Sequence, residues 1–335
     1  MTHSVHTNDQ PAAEALRLLY APVLDELARV EQMLKREMRS DYPFVNDLVQ
    51  YGVMLGGKRL RPALLLLAAK AAGEANDDHI TLATVVEMIH TATLVHDDVL
   101  DEATMRRHLA TVNARWDNEA SVLLGDFLFS HAFFLASTLD STHACRLIGR
   151  ATNIVCEGEI RQKGSRGDFL LSEEDYIGIV SAKTAELCAV SCQLGAIYAG
   201  ASSESVKRLA QFGRDLGIAF QIADDLLDVQ GDEGSVGKSL GTDLEKQKPT
   251  LPLIRVLQQL EGDERTALVA ALERGGDELR PMLASYYDRF QAIEYSREQA
   301  QAYADRARQQ LDHLASNEAT ETLRALPEFV VHRSH

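Results

Sequence analysis

Apolar residues in this chain recur at three- and four-residue steps almost throughout, and period-two alternation is hard to find anywhere. That spacing is the signature of helices with one buried face. "EALRLLYAPVLDELARVEQML" (14–34), "LATVVEMIHTATLVHDDVL" (82–100) and "SVKRLAQFGRDLGIAFQIADDLLDV" (205–229) each predict a long helix. Breaks fall at "LGGKRLRP" (55–62), "KGSRGD" (163–168), "AGASSES" (199–205) and the polar stretch 230–250. Ser172, followed three residues on by Asp175, predicts an N-cap for a helix through Tyr176 and Ala185. The pattern as a whole predicts roughly a dozen helices and no real sheet. None of the breaks resembles an interdomain linker, so the expected organisation is a loose segment 1–10 and a single all-helical domain over 11–335.

Composition narrows the possibilities. With 45% apolar residues, 8 Pro and 21 Gly, the chain can bury a sizeable core. A formal charge of −16 argues against nucleic acid as a partner. It is compatible with an anionic substrate if metal ions or local basic residues stand between. Cys145, Cys156, Cys188 and Cys192 lie in helix-like segments without zinc-type spacing, and Cys188 and Cys192 read as buried filler. The opening "MTHSVHTNDQPAAEA" lacks a secretory signal. "ALLLLAA" (63–69) is too short to span a bilayer. These features predict a cytoplasmic protein without a transmembrane segment.

Within this helical background one acidic pattern occurs twice. "LVHDDVLD" (94–101) is echoed by "QIADDLLD" (221–228), each an apolar-led helix carrying Asp-Asp-x-x-Asp. On a helix, Asp97 and Asp101 lie about 6 Å apart along the axis on one face, as do Asp224 and Asp228. A solvated helix face is the ordinary meaning of an acidic cluster. Here Val95, Val99, Leu100, Ile222, Leu226 and Leu227 call for burial on nearly every other side, which favours a metal site. Carboxylate-only ligation selects Mg²⁺ or Mn²⁺, and Mg²⁺ is normally shared between one or two carboxylates and a substrate phosphate. Neither cluster has the twelve-residue loop of an EF-hand.

Basic residues cluster near these acids. Lys58, Arg59 and Arg61 stand at a Gly-rich helix entry, where backbone N–H groups also favour anions. Arg106 and Arg107 follow the first acidic cluster, while Lys238, Lys246 and Lys248 follow the second. Lys183 lies in "AKTAEL", and Lys246 reads equally well as an ordinary solvated charge. "GSVGKS" (234–239) misses the nucleotide P-loop, because Asp232 stands where its first Gly is required and no strand precedes it.

Taken together, "LGGKRLRP", "HTATLVHDDVLDEATMRR", "GDFLFSHAFF", "EGEIRQ", "KTAEL" and "GRDLGIAFQIADDLLDVQGDEGSVGKSLGTDL" resemble the trans-type (all-α) isoprenyl diphosphate synthases, in particular their bacterial long-chain, octaprenyl-like members. The resemblance implies antiparallel helices around a deep apolar cavity, usually in a homodimer. It implies three Mg²⁺ ions, with Mn²⁺ as a substitute, held by Asp97, Asp98, Asp101, Asp224, Asp225 and Asp228. Arg106, Lys183, Thr184, Gln221, Lys238 and Lys248 correspond to allylic-diphosphate contacts, and Lys58, Arg61, His90 and Arg107 to the isopentenyl diphosphate pocket. His90 alone would read as a satisfied buried histidine, but it precedes Asp97 by seven residues, two turns up the same face.

The implied reaction ionises the allylic diphosphate, adds the isopentenyl double bond to the allylic cation and passes a proton to the departing diphosphate. Small residues at Ala92 and Thr93 leave room for the growing tail, and Phe133 or Phe134 is the candidate floor. An octaprenyl product serving a quinone side chain is expected, with transient membrane contact for its release. Alternatives are a shorter, geranylgeranyl-type product, a class I terpene cyclase, or a non-catalytic subunit of a heteromeric synthase. The doubled acidic motif and "GGKRLRP" oppose the cyclase, and the retained acids and bases oppose the subunit. The chain departs from the family pattern at His108-Leu109-Ala110, where Gly-x-Pro is usual, and at Gln247, where Gly is usual.

Overall fold

The computed structural model describes residues 16–230, 242–276 and 278–332. In chain order the helices are α1 (Leu24–Glu37), α2 (Pro43–Met54), α3 (Leu60–Ala72), α4 (Asp77–Leu100), α5 (Val112–Arg115), α6 (Asn118–Ser137), α7 (His143–Gly164) and α8 (Glu173–Val180). They continue as α9 (Glu186–Tyr198), α10 (Ser203–Gln230), α11 (Thr242–Glu245), α12 (Leu251–Gln259), α13 (Gly262–Arg274), α14 (Leu279–Arg289), α15 (Ala292–Gln309) and α16 (Glu318–His332). Among the described residues the only sheet is a hairpin of two two-residue strands, β1 (Met105–Arg106) and β2 (Leu109–Ala110). The fold is all-α, as the periodicity predicts.

The chain divides into two compact units. One comprises residues up to Thr152, Leu187–Gly213 and Gln310–Leu326; the other comprises Asn153–Glu186, Arg214–Gln309 and the residues from Pro327.

In the first unit α3 and α4 are central. Every residue from Ala63 to Ala69 is fully buried, so α3 needs no polar face, and each enclosed Leu contributes about 1.5–3 kcal/mol. Helix α4 packs against α1, α3 and α6. Asn76 starts it, accepting from the His79 N–H at 3.3 Å while the His79 ring pairs with the Asn76 N–H. Asp117 caps α6 by accepting from the Ala120 N–H at 2.7 Å. The single long helix expected from residue 14 is instead broken by a 3-10 turn at Ala21–Val23, since Pro22 has no N–H to continue the ladder.

In the second unit Tyr176, Val180, Ile218, Ile222, Leu226 and Ile254 form one apolar core, and Leu253, Leu257, Leu268, Leu272 and Leu283 belong to another. Ser172 caps α8 as predicted, accepting from the Asp175 N–H at 3.0 Å. Directly after α8 the helix widens into a π-turn at Ser181–Ala185 before α9 begins.

Two helical stretches reach the length and apolarity of a membrane span, which sequence reading did not anticipate. They are Asn118–Ser137, with mean hydropathy 1.5, and Glu173–Tyr198, with mean hydropathy 1.2. Both also pack as core helices, 44% and 67% buried over those windows.

Candidate active site

The loop 55–59 and the end of α4 assemble a dense cationic cluster. Gly56 and Gly57 are needed there because a Cβ at Gly56 would collide with the Arg59 guanidinium, and one at Gly57 with that of Arg107. Arg59, in the left-handed region at φ 52°, turns inward and donates to Glu31 and, at 2.6 Å, to the buried Glu87. Arg107 donates to the Leu55 carbonyl at 3.3 Å. The buried Nε of Arg61 has no hydrogen-bond partner among the described residues. Lys58 is exposed at the same helix entry.

His90 lies within the field of all these arginines. Burial, together with the charges of Arg61, Arg107, Arg106 and Arg59, holds its imidazole well below the ordinary histidine range and therefore neutral. The structure thus gathers Arg61, His90 and Arg107, three of the four residues expected in the isopentenyl pocket, in one electrostatic cluster. Burial and the Arg106 charge also lower the Arg107 pKa. Like charges held together out of water raise the free energy of the cluster, and an anion relieves it.

The first acidic motif closes α4. Asp97 and Asp98 lie in its last turn and Asp101 is its C-cap, with no basic residue there to offset the helix dipole. A carboxylate at that end costs about 0.3–1 kcal/mol, a cost that a bound cation would offset. Asp98, 2% exposed, receives a bidentate grip from Arg106, with Nε at 3.0 and 3.1 Å and Nη2 at 2.8 Å. The β1–β2 hairpin makes this possible by reversing the chain between Arg106 and Leu109. Its turn residues Arg107 and His108 have φ of 51° and 62°, so His108 adopts the left-handed backbone that Gly would take without strain. The second departure from the family pattern, Gln247, also has positive φ, at 52°.

The second motif, on α10, is held by a buried network. Tyr176 donates to Asp225 Oδ2 at 2.6 Å, Gln221 Nε2 donates to Asp225 Oδ1 at 2.8 Å, and Thr184 donates to Gln221 Oε1 at 2.8 Å. Burial and the Asp243 charge raise the Asp225 pKa despite the hydrogen bonds from Tyr176 and Gln221. Burial, with Asp225 alongside, drives the Tyr176 phenol far above the ordinary range, so it remains a donor. The Asp243 N–H donates to Asp228 at 3.3 Å, and Lys248 Nζ lies 3.8 Å from Asp243. These three residues, with Leu283 and Tyr287, line a cavity of about 200 Å³. Lys183 donates to Glu159 at 2.8 Å and to Gln162 at 3.0 Å. Lys238 and the "GSVGKS" stretch lie outside the described residues.

Of the residues expected to set chain length, Ala92 is fully buried, and Thr93 is half-buried and donates to the His90 carbonyl at 2.8 Å. Phe133 is half-buried within 3.8 Å of the Cβ position of Gly149, whereas Phe134 is 61% exposed. Sequence reasoning missed Glu31, Glu87 and Tyr176. Glu87 had left a signal, as a lone acid inside the apolar run "TVVEMIHTATLV".

Among the described residues no three His, Cys, Asp or Glu side chains converge to hold a metal by themselves. An all-α scaffold with carboxylates at a helix C-terminus, and guanidiniums gathered around a histidine two turns earlier, suits a phosphorylated anion bound with cations.

Comparison with known proteins agrees. The polyprenyl synthetase family model matches residues 42–290. The chain is 38% identical over 310 residues to the octaprenyl diphosphate synthase of Escherichia coli (strain K12), covering 92% of this chain and 96% of that protein. A decaprenyl diphosphate synthase structure from Rhodobacter capsulatus matches with TM-score 0.90 and 33% identity, over 96% of this chain and 99% of that one. A polyprenyl synthase from Caulobacter crescentus CB15, complexed with calcium and isoprenyl diphosphate, matches with TM-score 0.90 and 35% identity, over 96% and 98% of the two chains. The chain belongs to the polyprenyl synthetase family, and is a trans-prenyltransferase.

Proposed function

We propose that the protein condenses isopentenyl diphosphate onto an allylic primer, farnesyl or geranylgeranyl diphosphate, to make octaprenyl diphosphate for a quinone side chain. The observation that carries this reading is the juxtaposition on α4. A neutral His90 lies within an arginine cluster, and seven residues later begins a carboxylate cluster at the helix's negative end.

In this reading Lys58, Arg61, His90 and Arg107 bind the isopentenyl diphosphate. Arg106, Lys183, Thr184, Gln221, Lys238 and Lys248 serve the allylic diphosphate. Asp97 and Asp101, and likewise Asp224 and Asp228, hold Mg²⁺, while Arg106 orients Asp98 and Tyr176 orients Asp225. When bound, Mg²⁺ supplies the positive charge that lets diphosphate leave the allylic carbon. The arginines and lysines stabilise the same developing charge from fixed positions. Neutral His90 orients its substrate by hydrogen bonding without adding to the arginines' repulsion. The buried apolar side of α4, including Ala92 and Val95, excludes water from the allylic cation. Ala92, Thr93 and Phe133 set the product length.

The expected single catalytic domain over 11–335 enters the proposal as both units serving one reaction. Leu123 and Phe134, 58% and 61% exposed on one side of α6, support a homodimer. The four free cysteines fit a reducing cytoplasm. Asp97→Ala or Asp224→Ala tests the assignment. Turnover should fall at least a hundredfold with helicity unchanged, because each removes a contact to charge that develops in the transition state. Near-normal turnover at ordinary Mg²⁺ would overturn it.

A further inference from the structure

We propose that Tyr176 is a positioning residue for prenyl transfer, fixing Gln221 and Thr184 through Asp225; this rests on the function proposed above. Three hydrogen bonds link α8, α10 and the π-turn, and Tyr176, Asp225 and Thr184 are only 5%, 7% and 8% exposed.

The direction of each bond follows from the one before. Both Asp225 oxygens accept, Oδ2 from the Tyr176 hydroxyl and Oδ1 from the Gln221 amide. With its NH₂ turned to Asp225, Gln221 presents its carbonyl to Thr184, which fixes the direction of the Thr184 hydroxyl proton. A Gln amide and a Thr hydroxyl are otherwise free to flip and rotate. Tyr176 stands at the far end of this chain and sets the sense of the whole. The packing keeps Thr184 close to α10, since Gly217 brings that helix so near the π-turn that a Cβ would lie 2.5 Å from Ala185 Cα.

Tyr176→Phe keeps the ring and deletes only the donor. Buried Asp225 then loses one of its two donors, Gln221 is released to flip, and Thr184 loses its fixed orientation. In steady-state assays with purified full-length enzyme, kcat should fall about tenfold, as for a buried acceptor left one donor short. The KM for isopentenyl diphosphate should not change. Because Tyr176 acts only through Asp225, Tyr176→Phe/Asp225→Asn should be no slower than Asp225→Asn alone.

Wild-type kcat in Tyr176→Phe, losses that multiply in the double variant, or a rise confined to the isopentenyl KM would each overturn the proposal. So would a Tyr176→Phe protein that does not fold, since the residue would then be structural. If the wild type itself fails to elongate an allylic primer, the function is wrong; if it elongates and Tyr176→Phe is indifferent, only this inference fails.

Discussion

Arg59 stands between Lys58 and Arg61 in "GGKRLRP", yet its duty differs from theirs. Its guanidinium is spent on Glu31 and Glu87, which makes it a strut holding the Gly-rich loop against α4. Composition and spacing could not separate three adjacent cations, because the distinction lies in which carboxylates the fold brings near. Glu87→Gln should therefore destabilise the protein by about 3 kcal/mol in urea unfolding, since it removes the buried one of the two counter-charges of Arg59. A change within about 0.5 kcal/mol would mean that Glu31 alone suffices. Its spacing to Asp97 singled out His90 as a candidate, but its charge state was not legible. Folded His90 resists protonation, while the unfolded chain takes up a proton near the ordinary value of 6.5. Its contribution is therefore fully present above that value, and stability is lost as pH falls below it. His90→Gln should reduce this loss between about pH 7.5 and 5.5. An unchanged slope would show that His90 protonates normally in the folded protein.

Helices were easy to place from periodicity, whereas the irregular elements that aim the side chains were not. The π-turn at Ser181–Ala185 lies inside what reads as one continuous helix, because a one-residue widening leaves the apolar pattern almost intact. The sequence did show unusual residues at His108 and Gln247, and both proved to sit at positive φ. Whether such a backbone forms depends on the hairpin and the loop around it, which a single sequence does not display. Gly158 on α7 backs onto the π-turn, where a Cβ would lie 2.6 Å from the Lys183 nitrogen. Gly158→Ala should push the turn away, costing about 1–3 kcal/mol in stability and reducing turnover by displacing Lys183 and Thr184. Thermal unfolding and kcat measured together check this. Wild-type values for both would show that the turn is not clasped there.

At the scale of the whole molecule the all-α class followed directly from the absence of period-two alternation, while the division into two units did not. The segments of each unit are interleaved along the chain, so no linker marks a boundary for composition to reveal. A chain of charge −16 still holds a local positive field, because Arg59, Arg61, Arg106 and Arg107 all act on His90. Product length is the property least accessible to sequence; in the proposed reading it depends on how far a tail can run past Ala92 before a bulky residue stops it. The most direct test incubates the purified wild-type protein with Mg²⁺, farnesyl diphosphate and radiolabelled isopentenyl diphosphate, then separates the dephosphorylated products by chromatography. The account predicts a magnesium-dependent, all-trans product of octaprenyl length. Failure to incorporate isopentenyl diphosphate would contradict the assigned reaction, and accumulation of geranylgeranyl diphosphate alone would contradict the long-chain assignment.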